Sequence, residues 1–172
     1  MADNVTTIGG LLSALMQQES SMNPNALSDT GYVGLMQLHP KDVMTNLREG
    51  VPSVFDVARS LGKDVGGMTQ ADSERLLRDP EVNIGIGVPY VIELMRKYNW
   101  DIPKALTAYN AGPQRLDETL AAGGTFADLP QAEQRTYAQD VAEEYKRMYG
   151  SDMEDFGVLV SPRPQSRGLL GM

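Results

Sequence analysis

Glu19 is a carboxylate in line with an apolar stripe. Ile8, Leu11, Leu12, Leu15 and Met16 recur at helical spacing before it, and Glu19 is the next residue on that face. Asn23-Pro24 cannot easily continue a helix, which places Glu19 near a helix C-terminus. Burial disfavours the anion, and the negative end of the helix dipole does the same. Both effects raise the pKa. A carboxyl group that stays protonated near neutral pH can serve as a general acid. The ordinary alternative is a frayed last turn with Glu19 in water, because structural carboxylates far outnumber catalytic ones. The neighbours of Glu19 must decide between the two.

Other chemistries are narrowed by composition. The chain has 172 residues, no cysteine and a single histidine, His39. Disulfides and Cys-ligated metals are excluded, and a zinc site would need carboxylates alone. Ser-His-Asp chemistry would have to run through His39, which sits beside Pro40, and no G-x-S-x-G elbow is present. We read His39 as a first-turn residue. No metal and no cofactor is called for. The net charge of −8 argues against a nucleic-acid partner and against simple capture on anionic surfaces.

The elements that must position Glu19 read as helices. The first runs from about Thr7 to Ser20, and a Ser/Asn/Asp/Gly-rich loop follows to about Gly34. Pro40 opens a short helix ending at Gly50. Pro52 opens another, with Phe55, Ala58 and Leu61 on one face and Gly62 as its stop. Thr69 with Asp72 is a capping-type start for a helix ending near Arg78. Asp79-Pro80 begins a long helix with Ile84, Val88, Val91, Met95 and Tyr98 as its stripe and a kink expected at Pro89. Gly85 and Gly87 fit close helix packing. Asp101 caps the next helix, where Ala105, Leu106 and Tyr109 face inward. Pro113 restarts a short helix with Leu116 and Leu120. Leu129-Pro130 opens the last, with Tyr137, Val141, Tyr145 and Met148 buried and Gly150 as its end. No period-two strand pattern stands out. The expectation is a single all-α domain over 1–150, within the usual size for one core.

After Gly150 the composition changes. SDMEDFGVLVSPRPQSRGLLGM holds a short apolar knot, Phe156 to Val160, and then a Pro/Ser/Arg/Gly run without amphipathic period. We expect 151–172 to be an extended tail, available for docking to a partner. MADNVTTIGG has no basic n-region and no long apolar run, and nothing in the chain is apolar enough to span a membrane.

Four pieces line up in order: Glu19-Ser20; Gly34-Leu35-Met36-Gln37; Ala108-Tyr109-Asn110-Ala111-Gly112-Pro113; and Tyr137 within RTYAQDVAEEY. Together with the run from Asn83 to Pro113 they resemble the lytic transglycosylases of the soluble-lytic-transglycosylase (SLT) type, which share a goose-lysozyme-like fold. Any one piece is weak; all of them in order are specific. The resemblance covers about Ile8 to Tyr149. It implies a lyase that cleaves the β-1,4 bond between N-acetylmuramic acid and N-acetylglucosamine in peptidoglycan without water, leaving a 1,6-anhydro end. It implies Glu19 as the single acid and then base. Ser20 would help position the muramoyl group, and Met36 and Gln37 would line subsites beside Glu19. Tyr109 and Asn110 would contact sugar from the opposite wall, and Tyr137 would hydrogen-bond near the catalytic carboxyl.

The residues themselves temper this. Tyr109 and Tyr137 fall on apolar helix faces, where aromatics are ordinarily core, and Met36 reads as core filler by the same logic. Gln37 and Asn110 are more informative, because buried amides need partners. The segment between Gln37 and Asn83 is longer than the family pattern, and we expect 51–78 to be an inserted helix pair forming a lid or a docking surface. Tyr32-Val33 stands where the family more often has a smaller residue first. The missing export signal and the separate tail point to carriage by a bacteriophage particle. The enzyme would then act on the host periplasm or wall during genome delivery, with virion tail or ejection proteins as partners of the C-terminal segment. Two competing functions stay open. One is a hydrolytic muramidase, for which Asp29 would be the second acid, although Asp-Thr-Gly is ordinary turn chemistry. The other is a weakly active structural virion protein that retains the fold.

Overall fold

A computed structural model of the chain describes residues 8–153. In chain order the helices are α1 (Ile8–Ser20), α2 (Val54–Ser60), α3 (Gln70–Leu77), α4 (Pro80–Lys97), α5 (Ile102–Ala111), α6 (Pro113–Ala121) and α7 (Ala132–Tyr149). Short 3-10 turns lie at Asp42–Met44 and Phe126–Asp128. Among the described residues β structure is limited to isolated bridges, Leu27 with Val33, Val33 with Leu38, and Arg48 with Val51. The fold is all-α, as expected. The tail expected to dock, with its Phe156–Val160 knot, lies outside the described residues.

Local chemistry accounts for most boundaries. Thr69 and Asp72 form a reciprocal capping box on α3, so two otherwise orphan N–H groups are satisfied. The Asp79 carboxylate accepts from the amides of Glu81 and Val82, and Pro80 fits the first turn, where no N–H is needed. Asp101 caps α5 through the Lys104 amide. Gly150 ends α7 in the left-handed region.

Three helices meet behind the first. α7 lies along α1 and α5, and α5 in turn lies on α4. Leu11, Leu15, Leu94, Met95, Leu106, Tyr137 and Val141 interdigitate there, each almost wholly buried. Two glycines let backbones approach. A Cβ on Gly85 would stand 2.7 Å from Val57 Cγ1, and one on Gly87 would stand 2.3 Å from Met36 Sδ. α2 therefore nests on α4, and the expected inserted segment contributes Val54, Phe55, Ala58, Leu76 and Leu77 to the common core. The Ser73 hydroxyl, fully buried, donates to the Pro40 carbonyl at 2.7 Å and ties α3 to the preceding loop.

Several expectations are corrected. The segment 40–50 is loop apart from one 3-10 turn, because Val43 is its sole buried residue on that turn and it lacks an apolar stripe to hold a helix down. Leu61 is 42 % exposed, since α2 ends one residue before it. α4 buries Val82, Asn83, Ile86, Gly87, Val91, Leu94 and Met95, so its inward face is rotated from the expected stripe, and Ile84, Val88 and Tyr98 sit at the margin. The two glycines decide this: they sit where α2 and the Met36 side chain press closest. α7 begins at Ala132, after Leu129-Pro130, and Met148 is 40 % exposed near its end.

Candidate active site

The last turn of α1 carries Glu19 into a half-buried position facing α7. Tyr137, itself 1 % exposed, donates its hydroxyl to Glu19 Oε1 in a short hydrogen bond. The Glu19 pKa is pushed up to about 7. Burial is the largest cause; the Tyr137 hydrogen bond opposes it by favouring the anion, and the Glu133 carboxylate adds to the rise. Burial thus acts as expected, while the second upward push comes from a neighbouring acid that sequence reasoning did not single out. Glu133 is exposed on the first turn of α7, where its Oε1 accepts from Asn110 Nδ2 at 3.3 Å.

Facing Glu19 is the tight turn Gly34-Leu35-Met36-Gln37. Val33 and Leu38 close it with reciprocal backbone hydrogen bonds of 2.9 and 3.1 Å. It contains two left-handed residues, Gly34 (φ 81°) and Gln37 (φ 44°). The second is costly for a non-glycine residue and persists where surroundings over-determine it. Here three helices do so. From α1, the Ser20 hydroxyl reaches the Leu35 carbonyl at 2.9 Å while also contacting the Met16 carbonyl at 3.0 Å. From α4, Asn83 accepts from the Met36 amide at 2.8 Å and donates to the Val33 carbonyl at 3.0 Å and the Leu77 carbonyl at 2.9 Å. From α5, the Tyr109 hydroxyl donates to the Met36 carbonyl at 2.6 Å. Gln37 secures itself, its amide donating to the Gly34 carbonyl at 3.0 Å.

The site residues expected from sequence therefore converge, but with divided duties. Glu19 with Tyr137 and Asn110 with Glu133 form two hydrogen-bonded pairs, and the Glu133 charge acts on Glu19 through space. Ser20 and Tyr109 have their hydroxyls engaged with the turn backbone. Met36 is fully buried against Gly87, so its side chain has no surface to offer a ligand in this conformation; only the backbone beside it faces the site. Gln37 is half-buried at the end of the turn. Asn83 was missed as a site-builder, although an amide among apolar helix residues is a readable signal. Asp29 is exposed in the Ser28–Tyr32 turn, where the Tyr32 amide donates to Ser28 Oγ at 2.9 Å. His39 packs edge-on against Tyr32 with ring centroids 5.3 Å apart. No cluster of potential metal ligands occurs among the described residues.

Beyond Tyr109 the cleft continues. Tyr90 of α4 lies against the Tyr109 ring at 5.5 Å between centroids and borders a pocket of about 430 Å³ lined also by Leu47, Arg48, Glu49 and Pro113.

Comparison with known proteins matches this geometry to a family. Residues 6–129 match the model of the transglycosylase SLT domain. The chain is 30 % identical over 159 residues to membrane-bound lytic murein transglycosylase C of Photorhabdus laumondii, covering 76 % of this chain and 40 % of that protein. It is 29 % identical over 155 residues to the soluble lytic murein transglycosylase of Escherichia coli K12, covering 86 % of this chain and 21 % of the relative. The crystal structure of the 70 kDa soluble lytic transglycosylase from Escherichia coli superposes with a TM-score of 0.59 at 26 % identity, over 86 % of this chain and 23 % of that one. The chain thus spans between about a fifth and two fifths of the length of these relatives. The match over 6–129, which takes in Glu19, the 34–37 turn and the Tyr109-Asn110 pair, places the chain in the transglycosylase SLT domain family.

Proposed function

We propose that the protein is a peptidoglycan lytic transglycosylase that cleaves the MurNAc-β-1,4-GlcNAc bond to a 1,6-anhydroMurNAc end, with Glu19 as acid and then base. The observation that carries this reading is a single carboxyl group, raised to about 7 by burial and held by the Tyr137 hydroxyl. A group with that pKa is partly protonated near neutrality and can both give and take a proton. Glu19 first protonates the departing glycosidic oxygen. The substrate's own N-acetyl carbonyl shields the anomeric carbon. Glu19, now anionic, takes the proton of the C6 hydroxyl, whose oxygen closes the anhydro ring. The nucleophile is already tethered to the reacting sugar, so a large effective concentration replaces a second enzyme carboxylate. The tyrosine keeps the carboxyl oriented in both protonation states, since its hydroxyl can donate to either form.

The remaining side chains support this chemistry at one remove. Ser20, Asn83 and Tyr109 hold the 34–37 turn opposite the acid, and Gln37 and Asn110, whose NH2 groups are bonded to the Gly34 carbonyl and to Glu133, keep their amide oxygens for sugar hydroxyls. A hydrolytic muramidase would need a second carboxyl group to activate water. Asp29 is exposed on an outer turn, and Glu133 is hydrogen-bonded to Asn110, which favours the non-hydrolytic route. Mass spectrometry of purified peptidoglycan digested with wild type and with Glu19→Gln tests the proposal. Anhydro-muropeptides from wild type alone are expected; reducing-end products would replace it with the hydrolase.

The setting we propose for this activity is a bacteriophage particle that opens the host wall, with the segment after Gly150 as the docking element; its Pro/Ser/Arg/Gly composition supports an extended binding segment. Peptide mapping of purified virions would detect the chain there, and its absence from particles would remove that setting.

A further inference from the structure

Two of the chain's tyrosines are strongly exposed, Tyr149 at 43 % and Tyr32 at 41 %. Tyr149 rests on Tyr145, with centroids 4.8 Å apart, about three turns of α7 beyond the Tyr137 that holds Glu19. Tyr32 lies on the loop that runs from α1 into the Gly34–Gln37 turn, the wall opposite the acid. Its backbone is held by Ser28 from both sides. The Tyr32 amide donates to Ser28 Oγ at 2.9 Å, and the Tyr32 carbonyl accepts from the Ser28 amide at 2.9 Å. Val33 and Leu38, the next pair inward, are buried and bridge to each other. Side chains alternate along paired backbone, so Tyr32 and His39 share the opposite, outer face. Their rings meet edge to face, 5.3 Å apart at 71°. The His39 carbonyl in turn accepts from the Asp42 amide at 3.0 Å. Both rings thus stand on hydrogen-bonded backbone.

Tyr32 also ends a row of aromatic rings that starts at the acid. The Glu19 charge acts on the Tyr109 phenol. Tyr109 packs against Tyr90 at 5.5 Å. The Tyr90 phenol responds to Asp42 and Tyr32, an influence that fades over about 10 Å, so Tyr32 borders the same hollow. In a β-1,4-linked N-acetylhexosamine the ring substituents are equatorial and the axial C–H bonds point up and down. The two faces of the sugar are therefore apolar, and such a face packs on an aromatic ring. A ring already held in place gives up little freedom when it binds.

We propose that Tyr32 is a sugar-stacking residue at the outer end of the cleft, taking the face of a pyranose at least one unit away from the bond that is cleaved, with His39 as its backing. This rests on the reading of the substrate as the β-1,4-linked glycan of peptidoglycan. It makes Tyr32 a determinant of strand length: a chain that reaches from Glu19 to Tyr32 gains a contact that a short one lacks.

The test is binding by the full chain carrying Glu19→Gln, titrated without turnover. Two peptide-free probes are used, a MurNAc-GlcNAc disaccharide and an octasaccharide of the same repeat. Adding Tyr32→Ala should weaken octasaccharide binding about tenfold, the size of one good aromatic contact, and disaccharide binding far less. Tyr32→Phe should bind as the parent does, because the ring face and not the hydroxyl is used. Tyr32→Trp should add a blue shift of emission with octasaccharide that the parent, with Trp100 alone, lacks; this readout decides the matter if Tyr32→Ala melts early. Equal losses on both probes would make Tyr32 a support of the 34–37 turn and overturn the proposal. Unchanged octasaccharide binding would also overturn it, as would a loss in Tyr32→Phe as large as in Tyr32→Ala. Products of wild type are scored separately. Absence of anhydro ends together with a Tyr32-dependent preference for the octasaccharide removes the catalytic reading and leaves the stacking site. Anhydro ends with octasaccharide binding indifferent to Tyr32 remove the stacking site alone. Failure of the octasaccharide to bind the parent removes both.

Discussion

Tyr137 and Glu19, 118 positions apart in sequence, share one short hydrogen bond between a buried phenol and a half-buried carboxyl. The phenol is itself held neutral: burial pushes its pKa well above the ordinary tyrosine value, and the Glu19 charge pushes the same way. It therefore remains the donor through the neutral range in which Glu19 changes state. The carboxyl is the group that changes state, and it does so near 7.

This sets the pH dependence of activity. In the proposed mechanism the first step needs protonated Glu19, so the rate should fall as pH rises through about 7. Initial rates of anhydro-product formation between pH 5 and 9 check it. A rate that climbs steadily to pH 9 would show that Glu19 is not the acid.

Two substitutions should move that limb in opposite directions. Glu133→Gln removes a neighbouring negative charge, so the limb should shift to lower pH. Tyr137→Phe removes a hydrogen bond that favours the anion, so the limb should shift to higher pH, with a lower maximal rate because the carboxyl loses its orientation. The two pH–rate profiles, compared with wild type, report the signs directly.

Glu19→Gln should abolish product formation and yet stabilise the fold in alkali. The folded pKa of about 7 lies above the reference value of 4.5. The protonated carboxyl thus contributes fully below the unfolded pKa, and that contribution is lost as pH rises through the folded one. The variant and wild type should be nearly equal at pH 4, and the variant should be more stable at pH 8 by about 1–3 kcal/mol, partial exposure keeping the gain below the full shift. Urea melts at the two pH values measure the difference.

Asn83→Ala should be among the more damaging single changes outside the acid. It deletes bonds to the Met36 amide and to the carbonyls of Val33 and Leu77 in a fully buried place. Leaving such groups unpaired costs about 2–4 kcal/mol in all. The turn opposite Glu19 loosens with it, so kcat should drop more than stability alone explains under conditions where the variant remains folded. Denaturant midpoints and kcat, taken on one preparation, separate the two effects.

Gly34→Ala tests the turn from the backbone side. The residue has φ 81°, and a Cβ there would lie 2.4 Å from the Leu77 carbonyl oxygen, a backbone atom that cannot swing aside. Left-handed strain alone costs about 1–2 kcal/mol, and the clash adds to it. Gly62→Ala, also left-handed (φ 69°) but with open space around its Cβ, is the control and should be distinctly milder. Thermal melts rank the pair; equal losses would mean that the close approach at Gly34 is unimportant.

The helices and their caps were legible from local signals. Thr69 with Asp72, Asp79-Pro80, Asp101 and Gly150 act within a few residues of themselves, so neighbouring sequence suffices to place them. Glu19 was legible for the same reason: its place on the α1 stripe foretells burial. The ordered motifs from Glu19 to Tyr137 also carried the family resemblance. What the sequence could not determine was which hydrophobic face of α4 points inward, because that depends on where Val57 and Met36 press against Gly85 and Gly87. Nor could it divide the site into residues that face a ligand and residues that hold the wall. Ser20, Tyr109 and Asn83 have polar groups that suit either task, and only the long-range arrangement, 15, 73 and 47 positions from their partners, commits them to the turn backbone. The Glu133 charge near Glu19 belongs to the same class. Electrostatic neighbours across a fold are set by packing, and packing is a property of the whole chain.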